Sequence, residues 1–272
     1  MNQVMQKEVK KGVKSEHAPS GALAVAGNIV EQQAWLCKRV KLFANLGNEE
    51  ITPLLLGAKI QRAREGEMLL RQEERPRYLV VLLSGQARIF RVTRDGREAV
   101  TRILQSGDTM FENVIFSPGP SPVAGEVLKE AELLCVPAEL AHRYAGRSLA
   151  FANNLIKVLA ERTNRMMYQI EQLTLHTAVD RLTSYLLSAM FARQGVINNF
   201  EIVCEKAMLA KHLGMTPETL SRSLKELAPY GVEVKGRKVQ IKDPCALCDT
   251  QGSMLSRECR SSYKTKCKLN AR

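Results

Sequence analysis

Apolar side chains follow a helical spacing over a long segment in the second half of the chain. The spacing alternates between three and four residues through Leu149, Ala152, Ile156, Leu159, Thr163, Met166, Ile170 and Leu173. This heptad pattern predicts one long helix with an apolar seam that packs against a partner helix. A second copy of the chain and the chain's own core would both supply that partner. The two remain open because repeats of about 3.5 and about 3.6 residues differ little over this length.

Between residues 58 and 136, short apolar and β-branched runs alternate with turn signals. The turn signals are Glu65-Gly66, Ser84-Gly85, Asp95-Gly96, Ser106-Gly107 and the segment 117–122. The strand candidates between them are Tyr78–Leu83, Ala87–Thr93, Ala99–Leu104 and Leu133–Val136. Turns about ten to twelve residues apart predict a compact antiparallel barrel or roll. A short helical pair at 42–46 and 49–56 precedes these strands.

Residues 206–227 predict two short helices joined by a tight turn at Gly214. Thr216 is suited to cap the second helix, and Pro217 is suited to its first position. The apolar face of that helix consists of Leu220, Leu224 and Leu227. The following residues, 232–241, predict a two-stranded hairpin with Gly236 at its tip. The pattern therefore indicates a helix-turn-helix followed by a wing.

Basic residues at the wing tip, Lys235, Arg237 and Lys238, would clamp a phosphate backbone beside the second helix. The helix face opposite the leucines would enter a major groove, where Glu218 can accept from cytosine and Arg222 can pair with guanine. The predicted DNA contacts are Thr216, Pro217, Glu218, Ser221, Arg222, Lys225, Arg237 and Lys238. Of these, Thr216 and the two wing residues are assigned to phosphates, and Ser221 assists base reading. The alternative is an ordinary helical hairpin with a solvated charged face.

Bulk properties narrow the class of protein. A chain of 272 residues with a net charge of +12 is long enough for two domains and favours a polyanionic partner. No run of eighteen apolar residues occurs, so no membrane partner is expected. The N-terminal residues are a poor signal peptide and the seven cysteines are an odd number, which together predict a cytoplasmic location. No P-loop, dinucleotide turn or nucleophile–base set occurs, so an enzyme is not expected and no catalytic residue is assigned.

The composition divides the chain into five parts. The expected parts are a mobile basic arm at 1–33, a sensor domain at 34–145, a dimerisation helix at 146–175, a winged-helix DNA-binding domain at 177–243 and a cysteine-rich basic tail at 244–272. A hinge is expected at 175–177, where the heptad pattern stops before a further helix at 178–192.

The order of roll, seam helix, hinge and winged helix-turn-helix resembles the cyclic-AMP receptor protein/FNR (Crp/Fnr) family of bacterial transcription regulators, over residues 36–243. The resemblance implies an α+β fold: an antiparallel β-roll like a cyclic-nucleotide-binding domain, a long dimerisation helix and a C-terminal winged helix-turn-helix. It also implies a homodimer on double-stranded DNA with a palindromic operator, and RNA polymerase as a partner. Glu218 and Arg222 match the family's base-reading pair. Ser221 matches the FNR branch, and Pro217 replaces an Arg of the receptor branch, so FNR-like TTGA half-sites are expected.

The sensor half departs from the family's nucleotide site. The Gly-Glu pair that holds the ribose matches Phe111 and Glu112, and the Arg-Ser pair that grips the phosphate matches Pro122 and Val123. A phosphate opposite Pro and Val would be buried without a counter-charge. The expected effector pocket consists of Phe111, Glu112, Val123, Met166 and Met167, and it suits an apolar ligand. The alternative is that these side chains simply fill the roll.

Four cysteines, Cys245, Cys248, Cys259 and Cys267, lie in the tail with the spacing C-x2-C-x10-C-x7-C. Four thiolates can hold an iron–sulfur cluster or a zinc ion, and some family members bind a cluster through C-terminal cysteines. A thiol–disulfide switch and a disordered tail with incidental cysteines are the alternatives. Haem is a further cofactor candidate, with no histidine at a diagnostic spacing. The expected signal is redox, oxygen or nitric oxide, and a cyclic nucleotide or other small organic effector is the alternative.

Overall fold

The computed structural model describes residues 29–191, 199–244 and 247. The described chain begins with helix α1 at Ile29–Arg39, a 3-10 turn at Lys41–Phe43 and helix α2 at Asn48–Leu56. The predicted helical pair is thus confirmed, with a shorter first member. Helix α1 begins inside the segment expected to be a mobile arm, and residues 1–28 lie outside the described part of the chain.

Six antiparallel strands form the roll that the turn spacing predicted. They are β1 Lys59–Ala63, β2 Met68–Leu70, β3 Tyr78–Val92, β4 Glu98–Leu104, β5 Thr109–Met110 and β6 Ala124–Pro137. The sheet order is β1-β6-β3-β4, with β2 paired to β6 and β5 paired to β3. A short helix, α3 at Glu112–Ile115, follows β5. The inward side chains of β3 and β6 form most of a continuous apolar core.

Strand β3 runs through the predicted turn at Ser84-Gly85 without reversing. Its register against β6 shifts on both sides of Ser84, which is the signature of a bulge. Gly85 has a φ of +88°, and a Cβ there would lie 2.3 Å from the carbonyl oxygen of Glu130. The prediction of two strands separated by a turn was therefore wrong. The glycine is needed because two backbones approach closely within one long bent strand.

After helix α4 at Ala138–Ala145, helix α5 at Leu149–Leu175 crosses the roll. Ser148 caps α5 by accepting from the Phe151 amide at 3.0 Å. Asn154 donates to the carbonyl oxygens of Leu42 and Ala44 at 3.2 and 2.7 Å, which fixes α5 to the N-terminal 3-10 turn. Across the described segments, α5 included, no helix combines the length and apolar composition that a bilayer crossing requires.

The chain's own core covers a different face of α5 from the heptad seam. The buried face consists of Phe151, Asn154, Leu155 and Val158. The seam residues Leu149, Ile156, Met166, Ile170 and Leu173 remain exposed. Apolar side chains in such a row are costly to leave in water. The chain's own core therefore leaves these five positions exposed in the single chain, and a second copy as their partner stays a prediction.

The described residues of the C-terminal half include three α-helices, joined by turns, and a small sheet. They are α6 Ala178–Phe191, β7 Asn199–Glu201, α7 Lys206–His212, α8 Pro217–Leu227, β8 Val232–Lys235 and β9 Lys238–Ile241, with sheet order β7-β9-β8. His176 and Thr177 separate α5 from α6, at the predicted hinge. The Thr177 hydroxyl donates to Asp180 at 2.7 Å and accepts from its amide at 3.2 Å, which caps α6.

The two halves contact each other through α7 and β4. Met208 of α7 packs against a small cluster of the roll formed by Phe90, Val100 and Ala124. Lys211 of α7 forms an ion pair with Glu98 of β4 at 2.7 Å, and Glu98 also pairs with Arg88 at 3.0 Å. The first helix of the helix-turn-helix is therefore attached to the sensor sheet directly, besides its connection through the hinge.

Replacement of Gly85 by alanine tests the bulge. Gly85→Ala should lower the free energy of unfolding by at least about 3 kcal/mol, because backbone strain and a clash with Glu130 add together. Gly96→Ala is the matched control, since its φ is +81° and no atom lies within 4 Å of the added Cβ. It should cost only about 1–2 kcal/mol. Urea unfolding of both variants measures the difference, and equal losses would show that the close approach is unimportant.

Candidate nucleic-acid interface and the adjoining cavity

The N-terminus of α8 is built as its sequence predicted. Thr216 has extended backbone angles, and its hydroxyl accepts from the Thr219 amide at 3.2 Å, so it caps the helix. Pro217 occupies the first helical position. Gly214 makes the preceding turn with a φ of +62°, and a Cβ there would lie 2.7 Å from the Leu173 side chain at the end of α5. The turn is therefore packed directly under the long helix.

One face of α8 is buried and the other is free. Leu220 and Leu227 are buried in the core of the C-terminal half, Leu224 is half-buried, and Ser223 is buried beside them. The opposite face exposes Pro217, Glu218, Ser221, Arg222 and Lys225. None of these five side chains has a hydrogen bond or ion pair recorded with a described residue. Their polar groups are thus available to an external partner.

The wing forms as predicted, with Lys235 opposite Lys238 and Gly236 at the tip with a φ of +59°. Both lysines are exposed. Arg237 behaves differently, because its guanidinium donates to the carbonyl oxygens of Ile202 and Val203 at 3.1 and 3.3 Å. It fastens the wing tip to the segment before α7. The structure thus gives Arg237 an internal role that the sequence did not reveal, and its assignment to a DNA phosphate stays a prediction.

A cavity of 580 Å³ lies where the roll, α5 and the C-terminal half meet. Phe111, Val123 and Met166 of the expected effector pocket line this cavity. Glu112 is completely buried and is not part of the lining. Met167 is 63% exposed and lies outside the cavity wall, because consecutive residues point about 100° apart around a helix. The structure therefore brings together three of the five expected residues.

Glu112 ties the roll to the long helix. It forms an ion pair with Arg162 of α5 and accepts a hydrogen bond from the Thr109 hydroxyl. The other carboxylate oxygen, Oε2, is buried and has no hydrogen-bond partner among the described residues. An ion pair in such a buried place is costly to break, because it would leave one charge without a partner.

Two arginines converge on one carbonyl oxygen at the cavity. Arg162 donates to the Thr109 oxygen at 2.8 Å, and Arg102 donates to the same oxygen at 3.2 Å. Burial lowers the pKa of the Arg162 guanidinium to about 8. The neighbouring positive charges of Arg102 and Arg165 also lower this pKa, whereas the negative charge of Asp108 raises it. Burial lowers the pKa of Arg102 to about 10 in the same way. Two largely buried arginine side chains therefore lie side by side in the cavity wall.

Sequence reasoning missed these arginines because it compared only the family's nucleotide-gripping positions. A signal existed for Arg162, which precedes Met166 by four residues and so lies on the same side of a helix. Arg102 had no such signal. Its position follows from the pairing of β4 with β3, which no local pattern specifies.

The histidines and cysteines within the described residues do not form a metal site. No group of three or more potential ligands occurs there. His142 contacts the Ile115 carbonyl oxygen at 2.8 Å and packs edge-on against Phe116. Burial lowers the pKa of His212, which lines the cavity.

Cys37, Cys135 and Cys204 carry free thiols. Burial raises the pKa of Cys135 and of Cys204 to about 11, so these two thiols are poor nucleophiles and poor ligands near neutral pH. The four expected metal ligands, Cys245, Cys248, Cys259 and Cys267, all lie outside the described residues.

Comparison with known families and proteins gives a consistent result. The cyclic nucleotide-binding domain family matches residues 60–146, and the Crp-like helix-turn-helix domain family matches residues 180–250. The first match covers the roll and the second covers the helices and wing described above.

Similarity to individual proteins agrees with these two family matches. The chain is 24% identical to the fumarate and nitrate reduction regulatory protein of Escherichia coli over 193 residues, 70% of this chain and 77% of that protein. It is 25% identical to a CRP-like cAMP-activated global transcriptional regulator of Mycobacterium tuberculosis over 170 residues, 61% of this chain and 75% of that protein. The FixK2 structure from Bradyrhizobium japonicum has the same fold, with a TM-score of 0.64 and 22% identity over 72% of this chain and 98% of that one.

Proposed function

Since the chain belongs to the Crp/Fnr family of DNA-binding transcription regulators, we propose that it works as a homodimer on a palindromic, FNR-like operator. The relatives are regulatory proteins by name, and the helix-turn-helix family that matches this chain implies DNA binding. The observation that carries the proposal is the exposed polar face of α8 beside the basic wing.

Sequence reading is assigned to two side chains of that face. Arg222 has the fork of donors that pairs with guanine O6 and N7, and Glu218 can accept from a cytosine amino group. Ser221 assists, Lys225 lies one turn further along, and Thr216 and Lys238 contact phosphates. Pro217 offers no charge to a base, which favours the TTGA half-site over the receptor-type GTGA half-site.

The exposed seam of α5 supports the homodimer. A second copy of the same stripe would cover Leu149, Ile156, Ile170 and Leu173 by the knobs-into-holes packing that heptads favour. To read two half-sites in successive major grooves on one side of DNA, the two α8 helices of such a dimer need to lie about 34 Å apart. RNA polymerase is the proposed further partner, as the family's role in transcription implies.

For the signal, we infer a redox, oxygen or nitric-oxide type of input through the cysteine-rich tail. Four thiolates are a suitable donor set for an iron–sulfur cluster, and the buried thiols of Cys135 and Cys204 are much less suitable. A bound cluster would supply sensitivity to oxidants. Zinc at the same four cysteines and haem are the alternative cofactors.

A small organic effector is the second candidate input, and the 580 Å³ cavity favours it. An occupant there would contact the roll, the dimerisation helix and the DNA-binding half together. It would shift the population of orientations available about the hinge at His176 and Thr177.

Introduction of a charge into the seam tests the homodimer. Ile156→Glu should convert the dimer to a monomer at micromolar concentration, because a carboxylate would be buried opposite its own symmetry copy. The fold should persist, since Ile156 is 63% exposed in the single chain. Asn164→Glu, an exposed position about 120° around the helix from the centre of the seam, is the control and should remain dimeric. Sedimentation equilibrium measures both, and a dimeric Ile156→Glu protein would contradict the seam.

Two DNA-contact variants should differ in kind. Arg222→Ala should cost about 1–3 kcal/mol at the guanine position and relax sequence preference there. Lys238→Ala should weaken binding to all DNA sequences alike. It should also reduce the number of counterions released on binding, which sets the salt dependence, by about one. Operator binding at several salt concentrations separates these effects, with Arg143→Ala on helix α4 of the sensor half as control. Unchanged affinity and preference in Arg222→Ala would exclude the proposed reading face.

The tail hypothesis predicts a coloured protein. Anaerobically purified full-length protein should show visible absorbance together with equivalent iron and sulfide. Cys248→Ser should lose all three, whereas Cys37→Ser should keep them, because Cys37 lies in the sensor half and donates to the Leu46 carbonyl. A colourless, iron-free protein with full operator affinity would end the cluster hypothesis, and a zinc assay on the same sample tests the alternative metal.

A further inference from the structure

The cavity between the three parts of the chain is lined by both charged and apolar side chains. Arg102 of β4 and Arg162 and Arg165 of α5 contribute positive charge to its wall. Apolar side chains make up much of the remaining wall: Ile89, Ile103, Phe111, Val123, Leu159 and Met166. A volume of 580 Å³ lies within the range of about 300–1,000 Å³ that is common for small-molecule sites.

Arg102 differs from the other two guanidinium groups of this wall, because no carboxylate of a described residue forms an ion pair with it. Arg165 is 64% exposed and pairs with Glu161 at 3.7 Å. Glu112 is already paired with Arg162, and Asp108 accepts from the Gln105 amide at 2.8 Å within its own turn. Arg102 forms no ion pair with any described residue, and its recorded hydrogen bond goes to the Thr109 carbonyl. A confined guanidinium without a carboxylate is costly, and a bound anion would offset that cost.

We propose that this cavity binds a small organic anion, with its carboxylate or phosphate group on Arg102 and its apolar body against Phe111 and Val123. The family's phosphate-gripping pair is replaced by Pro122 and Val123 here, so the charged group would lie on the β4 and α5 side of the roll instead. A planar guanidinium suits either acid group, because it donates two parallel hydrogen bonds. The inference rests on the proposed function only for its consequence on DNA binding.

Residues of the DNA-binding half complete the same cavity. Tyr185, Val203 and His212 form part of its wall, and Arg102, Phe111 and Val123 belong to the roll. An occupant therefore contacts both halves at the place where α7 is attached to β4. Any difference in affinity between two orientations of the halves would then change operator binding by the same free energy.

Direct binding of three eight-carbon probes to the full-length protein tests the proposal. The probes are octanoate, octyl phosphate and uncharged 1-octanol, measured by calorimetry without DNA. At least one anionic probe should bind roughly tenfold or more tightly than 1-octanol, because hydrogen bonds to a charged group are involved. Comparison of the two anions identifies the acid group. Equal affinity for all three probes, or binding of none, would overturn the proposal.

Arg102→Gln should remove the preference for the anion and leave 1-octanol binding unchanged. The Thr109 carbonyl oxygen still accepts a hydrogen bond from Arg162 in this variant, so the substitution does not leave it without a donor. Arg162 is unsuitable for substitution, because its loss would leave buried Glu112 without a counter-charge. Arg91→Gln, an exposed arginine on β3 outside the cavity, is the matched control and should bind as the unmodified protein does.

Val123→Phe provides an independent variant, since a larger side chain would fill part of the cavity. It should weaken all three probes roughly tenfold or more, whereas Arg102→Gln weakens only the anions. Retained anion preference in Arg102→Gln, or unchanged binding in Val123→Phe, would show that the probes bind elsewhere. Operator binding is measured separately on the same proteins. Anion binding in a protein that does not bind an operator would contradict the proposed function as a regulator but would still support the anion site.

Discussion

The buried ion pair between Glu112 and Arg162 is the interaction on which the arrangement of the sensor half depends. It joins the short helix at the edge of the roll to the long helix, with the Glu112 side chain fully buried and the Arg162 side chain 11% exposed. Loss of either partner would leave one charge desolvated, at a cost of about 3–5 kcal/mol. The orientation of α5 against the roll is therefore fixed at the level of Arg162. The seam, the cavity and the attachment of the DNA-binding half are all positioned from there.

Two connections join the sensor half to the DNA-binding half, and they differ in character. The hinge at His176 and Thr177 is short, and its residues are exposed or half-buried. It therefore limits the distance between the two halves more than their relative orientation. The contact of Met208 and Lys211 with the roll fixes orientation through packing and one ion pair. An exposed ion pair contributes little, on the order of 1 kcal/mol or less. The relative orientation of the two halves is thus stabilised by weak interactions. The binding free energy of a ligand in the neighbouring cavity could be larger than their contribution.

Local patterns predicted the parts of this protein that local interactions determine. The length of α5, the cap at Thr216, the turn at Gly214 and the wing tip at Gly236 all follow from periodicity or backbone requirements of single residues. The bulge at Gly85 looked like a turn, because a glycine with positive φ has the same local signature in both.

The features that prediction missed depend on distant partners. Arg237 bonds to carbonyl oxygens more than thirty residues away along the chain, and Arg102 meets Arg162 only because β4 lies beside α5. The close approach of Leu173 to Gly214 is likewise a contact between residues that lie far apart along the chain. Leu173 is also a member of the α5 seam, so one side chain covers the turn of the DNA-binding motif and belongs to the stripe proposed as the subunit interface. A side chain at position 214 would meet Leu173 and would also require a left-handed backbone, so two separate constraints keep this position glycine, and one of them ties the turn to the seam.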